Sequence, residues 1–416
     1  MLTGGAGCRV SDITGATYLD AHGGAWLSQI GHGRRELAEV IAEQMQCLEH
    51  FGVGGPHSNP RAIELAERLV KHGPRGIAQV TFLSSGSEAC DEAVRLAREY
   101  HHRLGHPERY WVLSLEHCFH GRTLVGAALA GASDDAGYGP ILRGFAQVPA
   151  PLRHTSVGDA DELIDQCLSE LRATIERIGA DRVAALFAEP VLGPAGMIPL
   201  PVRYWAGVVR MLTEFDILLV ADEVVTGFGR TGRWFGSEHY DLAPDLVIAA
   251  KGIASGYLPL AAVLFNQRAA EVLVGADTGG SYGGHAAACA AASLSIDIIE
   301  RERLLENSAE VGSYLLDRLA GLRDLPVVGE VRGLGLMIGV ELVADQATGA
   351  PCPVKPGQLC GLLRREYGLL VGVGSKGIAI TPPLILTRAE ADEIVDALSA
   401  ALARLRADGS IEGVSV

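Results

Sequence analysis

Short runs of consecutive apolar residues alternate along this chain with longer stretches whose apolar positions recur every three or four residues. The runs "VTFLSS" (80–85), "YWVLSL" (110–115), "VAALFAE" (183–189), "ILLVADE" (217–223) and "DLVIAAK" (245–251) are short and almost uninterrupted. Strands buried on both faces read this way, because neither side of the pleat meets water. Between them, "SEACDEAVRLAREYHHRL" and "DELIDQCLSELRATIERIG" carry the spacing of amphipathic helices. Strand and helix in alternation predict an α/β domain over residues 51–290, a parallel sheet covered on both faces by helices. The ends differ. Residues 9–30 read as short strands around a glycine turn. Residues 291–416 read as a long helix, the stretch "VGEVRGLGLMIGVEL" and further α+β material. Residues 1–50 and 291–416 are therefore expected to pack together as a smaller second domain.

Composition narrows the partners. Of 416 residues, 48% are apolar and the net charge is −15, which argues against nucleic acid or an anionic membrane as the main partner. A small phosphate-bearing ligand remains open, since backbone amides hold one locally. The eight cysteines include no CxxC pair, the N-terminus lacks a signal-peptide pattern, and no apolar run approaches a membrane span. A soluble, cytoplasmic protein is expected.

Three stretches at predicted strand ends carry chemistry. Only four residues are lysines, and Lys251 sits within the apolar run "DLVIAAKGIASGYLPLAAV". Burial lowers a lysine pKa and leaves a neutral amine able to attack a carbonyl, although a lysine can also keep its stem buried and its head wet. In "SSGSEACDEAVRLA", Ser84, Ser85, Gly86 and Ser87 lead straight into a helix, which makes either a phosphate cradle or an ordinary N-cap. In "ILLVADEVVTGFGRTG", Asp222 ends a strand, where a carboxylate needs a cationic partner such as a protonated pyridine nitrogen. A Mg²⁺ site of Walker-B type is the competing reading, and no GxxxxGK[ST] stretch accompanies it. Phosphate cradle, aspartate and lysine at one sheet edge together describe pyridoxal 5′-phosphate.

With these residues in place, the chain resembles the class III (ω-) aminotransferases of the fold-type I pyridoxal-phosphate enzymes. The resemblance rests on "GATYLDAHGG", "GHGRRELAEVIAEQ", "SSGSEA", "FHGRT", "AEPVLGPAG", "ADEVVTGFGRTG", "AAKGIASGYLPLAAV", "SYGGHAAACAAA" and "VRGLGLMIGVEL", in this order over nearly the whole length. It implies a large domain with a mostly parallel sheet of the seven-stranded type and a smaller α+β domain. It implies Lys251 as the Schiff-base lysine and proton shuttle, and Asp222 on the pyridine nitrogen. Gly86 and Ser87 would hold the phosphate, Phe119 and Val224 would flank the ring, and His120 and Glu189 would stand near it. Ser281 would reach the phosphate of a neighbouring subunit in a homodimer. The implied reaction moves an amino group from an amine or ω-amino acid to pyruvate or 2-oxoglutarate. The same cofactor chemistry also serves decarboxylases, lyases, epimerases and aminomutases, and a non-catalytic cofactor-binding regulator is a third possibility.

The match departs in places. Leu192 stands where glutamine of an "EPxQG" motif is expected to reach the cofactor. Ala379 stands where many relatives carry an arginine for the substrate carboxylate, leaving Arg153 in "PAPLRHT" as the candidate replacement. Relatives also often have an additional N-terminal segment, which is expected to be missing or trimmed here. Trp26 is expected to line the substrate pocket, and with Ala379 it suggests an apolar or long-chain amine. The group His117, Cys118 and His120 lacks a further ligand pair of zinc-like spacing, so no metal is expected. The GxGxxxG pattern in "VRGLGLMIG" lacks a following amphipathic helix, which argues against a dinucleotide site.

Overall fold

Seven strands form the central sheet, in the order Ile77–Leu83, Ala261–Asn266, Leu246–Ala249, Leu218–Asp222, Val183–Ala188, Trp111–Leu115 and Phe145–Val148. The computed structural model describes residues 1–53, 57–132, 137, 139–152, 160–374 and 377–414. Every neighbouring pair in the sheet is parallel except the two made by Ala261–Asn266. Successive side chains go to opposite faces, and both faces are covered. Leu246 and Ile248 join one apolar cluster, with Ala89, Ala93 and Leu96 of the helix Gly86–Arg103. Val247 and Ala249 join another, with Ile253, Ala288 and Ala292. Continuous apolar runs follow directly from this double burial.

Two of the seven strands were not singled out in the sequence. Phe145–Val148 is an edge strand with three partly exposed residues of four, so no continuous apolar run marks it. Ala261–Asn266 follows closely on the Lys251 stretch and runs backward into the sheet, so alternation of strand and helix does not announce it.

The chain ends meet. Leu2–Ala6, Arg9–Asp12 and Thr17–Asp20 form an antiparallel sheet, and Leu369–Leu370 adds to Thr17–Asp20 in parallel. Val328–Leu334, Met337–Asp345, Gly377–Ile380 and Gly372–Gly374 make a second antiparallel sheet. Backbone bonds tie its margin to the N-terminal segment: Thr381 donates to the Ala21 carbonyl at 2.8 Å and Leu384 to the Gln29 carbonyl at 2.7 Å. Among the described residues, no helix is long and apolar enough to cross a membrane.

Candidate active site

The strands that end in Leu83, Ala188, Asp222 and Ala249 all point their carboxyl ends the same way, and a cavity of about 390 Å³ opens beyond them. Ligands gather at such edges because loops and helix starts converge there. Asp222 stands at the floor, 4% exposed, on a strand paired along both sides. Its Oδ1 accepts from the Val224 amide at 3.0 Å and its Oδ2 from His120 Nδ1 at 2.7 Å. The Cys90 thiol approaches the same Oδ2 at 3.7 Å. Burial opposes a charge on His120, yet Cys118 and the Asp222 carboxylate outweigh it and hold the imidazole well above its ordinary range. Burial likewise pushes the Cys90 thiol well up.

Lys251 also lines the cavity. The strand ends at Ala249, and Lys251 opens a short turn in the left-handed region, with φ 45°. A side-chain-bearing residue rarely adopts that conformation, and strain of this kind collects at functional sites. Burial lowers the Lys251 pKa, while Asp222 and Glu189 pull it back. Its Nζ lies 5.1 Å from the centroid of the Trp26 ring. Trp26 ends a run of four left-handed residues, Gly23 to Trp26, at φ 56°, 57°, 75° and 71°. The glycines adopt this freely, whereas Ala25 and Trp26 each cost about 1–2 kcal/mol. Glu189, 4% exposed, accepts from the amides of Phe119 at 2.9 Å and Gly193 at 3.1 Å. Burial raises its pKa to about 7.

The far side of the cavity is a helix start. Ser85 caps Gly86–Arg103 by accepting from the Glu88 amide, so the first-turn amides of Gly86 and Ser87 have no carbonyl within the helix to bind. Two glycines bring this cradle close. A Cβ on Gly86 would lie 3.2 Å from Val224, and one on Gly121 would lie 2.9 Å from the Ser87 Cβ. A buried carboxylate, a buried amine and a helix N-terminus face one cavity. They fit the pyridine nitrogen, the aldehyde and the phosphate of pyridoxal 5′-phosphate.

Gly86, Ser87, Phe119, His120, Glu189, Asp222, Val224, Lys251 and Trp26 thus share this cavity. Ser281 does not line it. Ser281 is exposed, with its carbonyl accepting from His50 Nε2 at 2.7 Å. Arg153 lies outside the described residues. Leu192 is fully buried in an apolar cluster with Leu186 and Ile198, its short strand turning that side chain into the core. Val225, beside Val224, stands in the cavity wall instead. Cys90 was missed, although its place four residues after Gly86 puts it on the same helix face. Cys90, His120 and Asp222 bring their ligand atoms within 4.8 Å of one another, a grouping that the spacing of His117, Cys118 and His120 did not show.

This sheet, with lysine, aspartate and phosphate cradle at one edge, defines a pyridoxal-phosphate enzyme of fold type I. Residues 1–402 match the model of the class-III aminotransferases, and the chain belongs to that family. It is 40% identical to an (S)-enantioselective ω-transaminase from Thermomicrobium roseum, with a TM-score of 0.92 over 96% of this chain and 91% of that one. It is 39% identical to an amine transaminase from an uncultivated Pseudomonas species, solved with pyridoxal phosphate bound. That match has a TM-score of 0.93 and covers 97% and 94% of the two chains. It is also 35% identical to the diaminobutyrate–2-oxoglutarate transaminase of Halomonas elongata, over 95% of this chain and 88% of that protein. The protein is an aminotransferase that uses pyridoxal 5′-phosphate and passes an amino group to a keto acid.

Proposed function

We propose that the donor is an amine or ω-amino acid, that the acceptor is pyruvate or 2-oxoglutarate, and that both half-reactions run at Lys251. The carrying observation is the convergence of Lys251, Asp222 and the Gly86–Ser87 helix start on one cavity. Pyridoxal 5′-phosphate, when bound, supplies an electron sink that acidifies the carbon bearing the substrate nitrogen. Lys251 would hold the aldehyde carbon and Asp222 the pyridine nitrogen. Gly86 and Ser87 would hold the phosphate, with Phe119 and Val224 against the ring. Lys251 Nζ would also carry the proton that the substrate carbon exchanges, a role its burial-lowered pKa suits. His120, held as a donor to Asp222 Oδ2, fixes the carboxylate's orientation. Glu189, bound by two amides, keeps the Phe119 backbone and the Gly193 turn at fixed distances from the ring site.

The same reading divides the chain into a large cofactor domain, 51–290, and a smaller one built from 1–50 and 291–416. It makes the enzyme a cytoplasmic homodimer in which Ser281 serves the partner's phosphate site. Phe51 and Tyr282, both exposed large side chains near the His50–Ser281 bond, support that interface. Absorbance tests the function. The visible cofactor band should bleach with a donor amine and return with pyruvate or 2-oxoglutarate. Turnover of the amine without any keto acid would sink the reading.

A further inference from the structure

Trp26 is a partition. Behind its ring lies a second cavity of about 370 Å³, which shares Trp26 and Pro194 with the catalytic one. The walls of this chamber come from the Gly372–Gly374 and Gly377–Ile380 strands and from Arg332 and Glu341. The place of the ring therefore decides how far a ligand held at Lys251 extends past it. Yet the backbone that carries the ring is strained. Gly23 to Trp26 run left-handed, and at Ala25 and Trp26 that conformation is unfavourable. Such a turn persists only where its surroundings over-determine it.

Asp20 and His32 supply that support. Asp20 ends the Thr17–Asp20 strand and is 3% exposed. Its Oδ1 accepts from the His22 amide at 3.0 Å and its Oδ2 from the Gly24 amide at 3.0 Å. One carboxylate thus clamps both sides of Gly23, where the left-handed run begins. His32 Nε2 donates to the same Oδ2 at 2.8 Å and holds the carboxylate from its other side. His32 is itself braced. Its amide donates to the Gly7 carbonyl at 2.9 Å, and its carbonyl accepts from the Gly7 amide at 3.0 Å. A Cβ on Gly5 would lie 2.8 Å from the His32 Cβ, so the missing side chain lets His32 pack close. Across the turn, a Cβ on Gly23 would overlap the Thr381 carbonyl oxygen, which leaves the backbone no room to retreat that way.

Resting on the aminotransferase reading above, we propose that Asp20 and His32 are positioning residues for Trp26, and that through its ring they set which donors the enzyme accepts. Neither residue lines the catalytic cavity. They act along a chain of short contacts, from imidazole to carboxylate and from carboxylate to two amides of the turn. That turn ends in the ring whose centroid lies 5.1 Å from Lys251 Nζ. Without the His32 donor the buried carboxylate lacks a partner, which is costly. The turn then relaxes towards ordinary backbone and the partition gives way, while the groups that do chemistry stay in place. His32 is also a position where replacement empties no core. Its side chain is 22% exposed and lines a separate cavity of about 570 Å³ with Arg364 and Leu370.

The test compares a short donor, n-propylamine, with a long one, n-hexylamine, on the holoenzyme with saturating keto acid. His32→Leu and His32→Ala should each raise the hexylamine-to-propylamine ratio of kcat/KM by roughly tenfold, as loss of one charge-assisted bond implies. The change should come through KM for hexylamine, with kcat for propylamine within about threefold of wild type. His32→Gln keeps a donor near Asp20 Oδ2 and should hold the ratio at its wild-type value. Trp26→Ala should raise the ratio by itself, and adding His32→Leu to it should raise it no further, because both act through one ring. A ratio unmoved by both His32→Leu and His32→Ala, or the same rise in the Trp26→Ala background, would overturn the positioning role. So would an equal fall in kcat for both donors, which is the mark of general damage. Each of these leaves the aminotransferase reading standing. Failure of every amine to bleach the cofactor band would instead remove the reading beneath it.

Discussion

The two cavities on either side of Trp26 are built on opposite plans. The catalytic one is floored by carboxyl ends of parallel strands, and its titratable groups press on one another: Asp222 with His120 and Cys90, Lys251 within reach of Asp222 and Glu189. The outer one is walled by antiparallel backbone and glycines, and its single buried guanidinium is neutralised by carboxylates. Crowding unlike groups shifts proton affinities, which is what proton transfer needs. Matched charge around open space does no chemistry and leaves shape to choose a ligand. The reacting end and the choosing end of the site are thus physically separable.

Substitutions in each region should separate in the same way. The largest effect is expected for Lys251→Ala, which removes the proton carrier and should lower single-turnover amine conversion by at least about 10³-fold. Its urea unfolding midpoint should stay close to wild type. Asp222→Asn keeps the shape but withdraws the charge facing the ring nitrogen, and kcat should fall by about 10²-fold. On the other side of Trp26 the balance reverses. Arg332→Met leaves the buried Glu341 without its guanidinium and should cost about 3 kcal/mol in chemical denaturation.

Glu189 gives a pH signature of the crowded cavity. The folded protein holds its proton up to about pH 7, whereas an ordinary glutamate releases it near 4.5. Between those values the folded state binds more protons, so this group's contribution to stability falls as pH rises and levels off above pH 7. Glu189→Gln should flatten that slope in the cofactor-free protein, by about 3 kcal/mol across the window. The smallest effect is expected at the partition. Ala25→Gly relieves a left-handed residue and should stabilise the fold by about 0.5 kcal/mol. If it also changes the long-to-short donor ratio, the turn holds Trp26 in place for selection as well.

The contrast also explains what was legible in the sequence. Lys251, Asp222 and the Gly86–Ser87 start belong to local strand-to-loop patterns, and each is marked by the apolar run that precedes it. The chamber has no such mark. His22, the hairpin that carries Arg332 and Glu341, and Ala379 come from three separate places, and sheet pairing brings the last two together. The burial of Leu192 was not legible for a related reason: a motif position does not say which side of a two-residue strand faces the core. Cys90 is intermediate. Its helix face was readable, but its nearness to Asp222 depends on how the helix lies across the sheet.

Borohydride reduction of the purified holoenzyme, followed by peptide mapping, tests the central claim most directly. The account predicts a pyridoxyl mass on the peptide that contains Lys251 and none on those containing Lys71, Lys355 or Lys376. A label on any other lysine, or a cofactor-loaded protein with no reducible link, would contradict it.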